Sequence, residues 1–425
     1  MLELRTLRDQ AEAVRQAIRA KHLPEALASF EALLLADEAR RVLRLELEAK
    51  QAERNARSRE IGERKRRGES ADDLMRDVGQ LATDVKGLEE RDRSLATQIE
   101  ALLLEIPNLP HPSVPYGASE HDNVVVHERG ERRVGPGLKP HWELGEARGW
   151  FDLAAGVTLT GAGFPVFKGQ GARLVRGLAG YFLDRLAAAG HVEIAPPLLV
   201  NEASATATGQ LPDKEGQMYQ VADGAYLIPT SEVSVTNLHR GQILDEDALP
   251  LRYCAYTPCF RREAGSYGKD VRGLNRVHQF DKVEMVHFTR PEDSYAALEA
   301  MTELAEGLLE ELGLAYRRLL MCTGDMGFTQ AKKYDLEVWS PGQERWLEVS
   351  SISNLEAFQA VRLQTRARPG GAAGTGKPRF VHTLNGSALA FPRTIAALLE
   401  TYQTEDGRVA LPAALVPYVG RSHLD

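Results

Sequence analysis

Cysteine is scarce: Cys254, Cys259 and Cys322 are the three in 425 residues. That is too few for a disulfide framework and fits a reducing compartment. Cys254-Ala-Tyr-Thr-Pro-Cys259 has the spacing of half a metal site, but no second Cys/His pair completes it. Both thiols are therefore expected in or beside a strand, and no zinc is expected. No run of 18 apolar residues occurs, which excludes a membrane-spanning helix. The first nine residues mix acids with bases, unlike a secretory or organellar leader, so a cytoplasmic location is expected. Positive charge is also short, with 52 Lys+Arg against 60 Asp+Glu and a net charge of −8. A polyanion could be held only where bases cluster. A P-loop is missing too. Gly371-Ala-Ala-Gly-Thr-Gly376-Lys377 fits one as far as its lysine, but Pro378 stands where the magnesium-binding Ser or Thr belongs. A loop is expected there. No internal repeat is found.

What is plentiful is helix-forming sequence over residues 1–106. Leu74, Leu81, Leu88, Leu95 and Leu102 recur every seven residues, with Val78, Val85, Asp92, Ile99 and Ile106 between them. This alternation predicts a coiled-coil seam flawed only at Asp92. A partner seam reads less cleanly upstream, through Leu35, Glu38, Val42, Leu45, Ala49, Ala52 and Ala56. Between the two, Gly68 can end a helix, and Ser70 with Asp73 can open the next as a capping box. The expectation is an antiparallel hairpin with arms of about 35–40 residues, a rod on the order of 50–60 Å long. Near its tip, Arg54, Arg57, Arg59, Arg64, Lys65, Arg66 and Arg67 face only two acids, Glu60 and Glu63. Either this is a solvated helical face, or an acidic protein concentrates positive charge where a phosphate backbone can reach it.

Pro107, Pro110, Pro112 and Pro115 mark a linker over residues 107–120. Beyond it, residues 121–425 alternate short apolar strands with helices. An amphipathic helix is predicted over 171–189, ending at Gly190. Strands are predicted at 192–195, 225–229, 253–260, 276–288, 334–339, 346–350 and 379–384. Hairpin-like connections outnumber strand-helix-strand units. The fold class is therefore α+β, a helical coiled-coil hairpin followed by an antiparallel β-sheet flanked by helices.

Charge set within apolar strands marks a candidate site. Thr257-Pro-Cys-Phe260-Arg261-Arg262-Glu263 leads into a charged loop with Gly265, Gly268 and Gly273. The chain returns through Val277-His278-Gln-Phe280-Asp-Lys-Val-Glu284. Half-buried charge is costly unless it is paired or meets a ligand, and internal salt bridges would account for this segment taken alone. Phe260-Arg261-x-Glu263, a loop, and His278-Gln-Phe280-x-x-Val-Glu284 together resemble motif 2 of the class II aminoacyl-tRNA synthetases, in its seryl-specific form. Gly190-His-Val-Glu-Ile194-Ala-Pro-Pro197 resembles motif 1 of that family. Asn385-Gly386-Ser387-Ala-Leu-Ala-Phe-Pro-Arg393 resembles motif 3. The resemblance spans nearly the whole chain, N-terminal hairpin included.

The resemblance implies a class II catalytic domain and an ATP-dependent ligase without a covalent nucleophile. Serine's carboxylate attacks the α-phosphorus of ATP, pyrophosphate leaves, and the 3′-terminal hydroxyl of tRNA then takes the acyl group. Such chemistry rests on positioning and charge neutralisation. By resemblance, Arg261 holds the α-phosphate and the substrate carboxylate, with Arg262 beside it in the ATP-binding set. Glu263 lies near the adenine edge, and Val277 offers backbone contact to the base. Arg393 lies along the adenine and reaches the γ-phosphate with a planar cation. Glu348-Val349-Ser350-Ser351 matches the family's Glu-x-x-Ser segment, in which Glu348 and Ser351 would bind Mg2+. Serine selection falls to Thr230, Ser231, Glu232, Arg261, Glu284 and Ser387. Ser231 stands where the family more often has alanine. A buried Glu284 accepting the serine hydroxyl would reject alanine, which leaves it unpaired.

By the same resemblance, Arg54, Arg57, Arg64, Lys65 and Arg66 contact tRNA. The partners implied are ATP, L-serine, serine tRNA and a second copy through motif 1, with selenocysteine tRNA left open. Two departures stand out. Ala388 and Phe391-Pro392 precede Arg393 where the family more often has glycines, and Val361 stands where an arginine would precede Arg362. One rival reading is a relative that charges a carrier protein or another tRNA, which would lack the hairpin or carry a C-terminal anticodon-binding domain. Another is a non-catalytic coiled-coil adaptor, which would have broken motifs.

Overall fold

The computed structural model describes residues 1–263 and 272–425. Gly265 and Gly268 of the glycine-rich loop lie outside them. Two compact units are present, Leu2–Pro107 and Asn108–Asp425.

In the first unit, short helices α1 (Leu4–Asp9) and α2 (Ala11–Ala20) precede the long pair α3 (Pro24–Arg66) and α4 (Asp72–Leu104). The 43 residues of α3 span about 65 Å at the α-helical rise. On α4 the heptad reading holds, with Leu74, Leu81, Val85, Leu88 and Ile99 buried. On α3 it does not. Leu35, Val42 and Leu45 are 70%, 62% and 69% exposed, while Leu43 is buried. The face turned to α4 lies one to two residues further along and interleaves cations with the apolar Ala36, Leu43, Leu47 and Ile61. Arg40 pairs with Asp92 at 2.9 Å, Lys50 with Asp84 at 2.7 Å, Arg57 with Asp77, and Arg64 with Asp73 at 3.2 Å. Long side chains lay their aliphatic stems along the seam and place the charge at its edge. An apolar-only reading therefore selects the wrong stripe, and Asp92 is a partner rather than a flaw. The expected capping box is absent for a related reason. Asp73 is turned to Arg64, and Ser70 Oγ accepts only a 3.5 Å bond from the Asp72 N–H.

The second unit is built on an eight-stranded sheet. Its strands are β1 (Val124–Arg129), β2 (Val192–Glu193), β3 (Leu251–Phe260), β4 (Gln279–Thr289), β5 (Tyr316–Leu320), β6 (Lys332–Ser340), β7 (Arg345–Asn354) and β8 (His382–Ala390). They lie in the order β1-β5-β6-β7-β8-β4-β3-β2. Every pair is antiparallel except β2 with β3. The unit's helices of eight residues or more, among the described residues, are α5 (His141–Arg148), α6 (Gly169–Ala188), α7 (Ser294–Glu311) and α8 (Phe391–Thr401). Along α6, Leu174, Leu178, Phe182 and Leu186 recur at helical spacing and are buried in the main core with Leu298, Leu308 and Leu398. Each contributes on the order of 1.5–3 kcal/mol by burial. Strand pleating then sorts β4. Val283 and Met285 enter that core, while Val286 and Phe288 join a second cluster on the opposite face. Lys282 and Glu284 share the even-numbered face and point into a cleft.

The loop that mimics a P-loop is a short 3-10 turn, Gly371–Ala373. The guanidinium of Arg368 donates to the carbonyls of Gly371 and Ala372. Carbonyls gathered on a cation have the opposite polarity to a phosphate cradle. Cys254 and Cys259 lie on β3, and all three thiols are free and buried.

Candidate active site

One cleft of about 510 Å³ collects residues from three of the central strands and the turns beside them. Arg261 and Glu263 follow β3, Val277 precedes β4, and Lys282 and Glu284 lie within β4. Residues 348–351 come from β7, Ser387 from β8, and Arg393 from the first turn of α8. Thr230 enters from the turn before the short helix Glu232–Thr236, and Glu232 from its first residue. Of the residues expected at the site, Ser231 and Arg262 do not line the cleft. Ser231 is wholly buried, its hydroxyl without a partner among the described residues, and Arg262 is exposed.

At one end is a closed, charged pocket. Lys282 Nζ contacts Glu284 Oε2 at 2.5 Å and donates to Thr230 Oγ1 at 2.8 Å. Ser387 Oγ donates to the same Glu284 oxygen at 3.3 Å, and Ser350 Oγ donates to the Ser387 carbonyl at 2.6 Å. Glu232 accepts from Gln359 Nε2 at 2.5 Å. Thr383 donates to the Gln359 oxygen at 2.7 Å, which fixes the way the amide faces. Burial, with Glu284 nearby, pushes the Glu232 carboxyl up to about 7.

The other end is cationic. The Arg261 guanidinium lies 5.1 Å from the Phe280 ring centre, and its main-chain N–H donates to the His278 carbonyl at 2.8 Å. Arg393 donates from Nε to the Asn275 carbonyl at 2.8 Å and from Nη1 to the Glu348 carbonyl at 3.0 Å. Two fixed carbonyls set the plane of the guanidinium, and Nη2 has no partner among the described residues. Glu263 is held by Arg276, and its N–H donates to Gln217 Oε1 at 3.1 Å.

Sequence reasoning missed three residues. Lys282 stands two residues from Glu284 on the same strand face, so strand alternation could have found it. Gln359 lies beside the unusual Val361, where only the fold brings it to Glu232. Asp335 on β6 pairs in register with Ser351, is 5% exposed, and has one carboxylate oxygen with no hydrogen-bond partner among the described residues. Val361 itself is buried. Its neighbour Arg362 donates to the carbonyls of Thr206 and Leu211 at 2.9 and 3.3 Å, clasping the C-terminal end of the short helix Glu202–Thr208.

A family model of the seryl-tRNA synthetase N-terminal domain matches residues 1–110, and one of the class II tRNA synthetase core domain (G, H, P, S and T) matches residues 219–402. A serine–tRNA ligase of Salinibacter ruber is 52% identical, covering 99% of this chain and 98% of its own. This chain belongs to the seryl-tRNA synthetases. Another serine–tRNA ligase of that family, from Magnetococcus marinus, is 47% identical over 99% of both chains. A crystal structure of seryl-tRNA synthetase from Pyrococcus horikoshii complexed with ATP superposes with a TM-score of 0.95 at 36% identity, covering 100% of this chain and 99% of that one. Residues of motifs 2 and 3 line the cleft in this chain, while motif 1 lies outside it at the sheet edge. No helix among the described residues is long and apolar enough to cross a membrane.

Proposed function

We propose that the chain activates L-serine with ATP and transfers it to the 3′ end of serine tRNA, using this cleft. The observation that carries the reading is the division of one cleft into a cationic floor and a small pocket holding two carboxylates. Serine's ammonium suits Glu232 and its hydroxyl suits Glu284, leaving its carboxylate toward Arg261. A carboxylate oxygen attacks the α-phosphorus, the bond to the β-phosphate oxygen breaks, and pyrophosphate leaves toward Arg393. The tRNA hydroxyl then attacks the acyl carbon and AMP leaves. Arg261 and Arg393 are preorganised for the charge on the phosphates, which is where most of the rate gain arises in such chemistry. Val277 and Glu263 stand where the adenine would lie.

Glu348 and Ser351 offer hard oxygens, and an Asp335 oxygen without a hydrogen-bond partner among the described residues lies on the paired strand, so this donor set fits Mg2+. Glu348 is held below the ordinary carboxylate range. Desolvation opposes that shift, but the charges of Lys333 and Arg393 outweigh it. A bound Mg2+ would supply charge neutralisation to the triphosphate. A second copy is proposed to seat on motif 1, where β2 forms an edge of the sheet and Val192 is 57% exposed. Residues 1–106 are assigned to tRNA, 107–120 to a linker and 121–425 to catalysis. The free buried thiols suit the cytoplasm.

Serine-dependent exchange of labelled pyrophosphate into ATP, compared with alanine, threonine, glycine and cysteine, tests the reading. Serine alone should support it, and equal exchange with another amino acid overturns it. In the same assay Glu284→Gln should lower kcat/KM for serine on the order of 10–100-fold, the worth of a hydrogen bond to a charged group. The serine-to-alanine ratio should shrink, and ATP affinity should hold. An unchanged ratio removes Glu284 from specificity.

Glu232 gives the site a pH dependence. Its carboxyl is raised to about 7, so below that pH it is protonated and offers no charge to serine's ammonium. Serine affinity should therefore rise between about pH 6 and pH 8, with a proton released on binding near neutrality. Glu232→Gln should bind serine weakly and flatten the profile. Titration calorimetry in two buffers of different ionisation heat reads the proton, and buffer-independent heats would contradict the assignment.

A further inference from the structure

Beside the ATP end of the cleft lies a buried polar cluster that the reaction as described does not use. His141, the first residue of α5, and Glu400, in the last turn of α8, are both wholly buried. Glu400 collects five donors. They are the His141 main-chain N–H at 2.9 Å, His141 Nδ1 at 2.8 Å, the Ser340 hydroxyl, the Gly342 N–H at 3.0 Å and Gln343 Nε2 at 3.0 Å. That many donors hold it as an anion, below the ordinary carboxylate range in spite of burial. The other ring nitrogen, His141 Nε2, receives the Leu274 N–H at 2.8 Å. A backbone amide can only donate, so Nε2 is an acceptor and the ring proton sits on Nδ1 toward Glu400.

Leu274 and its neighbours form the exit of the motif 2 loop, and the approach there is close. Gly273 has φ +67°, and a Cβ on it would lie 2.3 Å from His141 Nε2. Only glycine fits between loop and ring. Arg272 lies 4.8 Å from the centre of the Trp142 ring. The next residue after Leu274, Asn275, donates its side-chain amide to Gln343 Oε1 at 2.8 Å, while its carbonyl takes Arg393 Nε at 2.8 Å. Glu400 and Arg393 are about two turns apart on α8. The chain of hydrogen bonds thus closes on itself, from Arg393 through Asn275 and Gln343 to Glu400 and back along the helix.

We propose that His141 and Glu400 are positioning residues for the ATP site, holding the motif 2 exit and, through Gln343 and the Asn275 carbonyl, the plane of the Arg393 guanidinium. This rests on the ATP-activating reading above. Neither they nor Gln343 line the cleft. Their effect should fall on the substrate that Arg393 meets and spare the serine pocket, which is built on Thr230, Lys282 and Glu284. A misplacement of about 1 Å at a charge-stabilising group is enough to cost on the order of 100-fold in rate.

The test uses the full-length chain and pyrophosphate exchange, with KM for ATP and for serine measured separately beside the melting temperature. Gln343→Leu and His141→Phe should each raise KM for ATP about 10-fold or more and leave KM for serine within about twofold. His141→Gln, whose amide oxygen can accept from the Leu274 N–H in place of Nε2, should recover much of the loss. Parallel rises in both KM values, no change in either, or a lowered melting temperature with an unchanged ATP KM would each overturn the proposal. If His141→Phe does not fold, Gln343→Leu decides alone, because its half-buried side chain leaves no deep cavity. A wild-type chain without serine-dependent exchange sinks the activation reading itself. Exchange in wild type with an unmoved ATP KM in the variants sinks only the positioning role.

Discussion

Arg393→Ala should lower serine-dependent pyrophosphate exchange on the order of 100–1,000-fold while the melting temperature barely moves. The structure explains why these two effects separate. The guanidinium is one-third exposed, and its two hydrogen-bond partners are main-chain carbonyls that open onto the cleft. Water can take its place on both, so little folding energy is lost. What is lost is a planar cation already aimed where charge develops. Arg393→Lys should recover little, because a single ammonium cannot span two carbonyls and a phosphate at once. Arg261→Ala should behave alike, since its side chain meets the Pro229 carbonyl through a long 3.4 Å bond and otherwise lies on the Phe280 face. An Arg393→Ala protein that unfolds, yet keeps normal exchange in its folded fraction, would show that the residue is structural.

Removing residues 27–104 and bridging the ends should abolish aminoacylation of serine tRNA and leave serine activation nearly intact. Every residue lining the cleft lies between Gln210 and Arg393, so adenylate chemistry draws nothing from the helical pair. A helical rod instead suits recognition of an RNA stem by backbone shape. The five bases proposed for tRNA are not equivalent, however. Arg57 is paired with Asp77 and Glu53, and Arg64 with Asp73 and Glu60. Arg54, Lys65 and Arg66 have no ion pair among the described residues. Replacing those three by alanine should weaken tRNA binding and reduce its salt slope by up to about 0.7–0.9 log units for each phosphate no longer neutralised. Replacing Arg57 and Arg64 should chiefly loosen the hairpin. Normal charging of tRNA by the shortened enzyme would assign the arm to some other partner.

What could be read in advance followed the periodicities that burial leaves in a sequence. The leucine heptads of α4 and the apolar strands around the motifs are of this kind. Two strands of the main sheet escaped. In β5, Arg317 and Arg318 break the apolar run, and both are paired from outside the strand. Arg317 meets Glu337 on β6, while Arg318 meets Glu299 on α7 and lies 3.8 Å from the centre of the Tyr334 ring. Edge strand β1 has exposed valines and no alternation to detect. The same distinction runs through the site. Glu284 and Ser387 came from motifs, and the register pairs them across β4 and β8. Gln359 and Asp335 depend on partners more than 15 residues away, and His141 depends on a loop 133 residues downstream. Such roles are written in the fold and leave no local signature.

The ionic seam of the arm also acts as a gauge. Seven residues separate Lys50 from Arg57 and Arg57 from Arg64, and seven separate Asp84 from Asp77. Leucines repeating every seven residues would accept a slip of one heptad with little complaint. The charges accept it less readily. Moving α4 by one heptad in one direction sets Lys50 against Arg91 and Asp92 against Leu47, so that only Arg57 and Arg64 find new acids, in Asp84 and Asp77, and polar groups at seam positions are known to select alignment in this way. Such a slip would displace the turn at Gly68 by about 10 Å along the rod. By disfavouring it, the acids of α4 keep Arg54, Lys65 and Arg66 at a set distance from the base of the hairpin, as the proposed contact with an RNA stem would need.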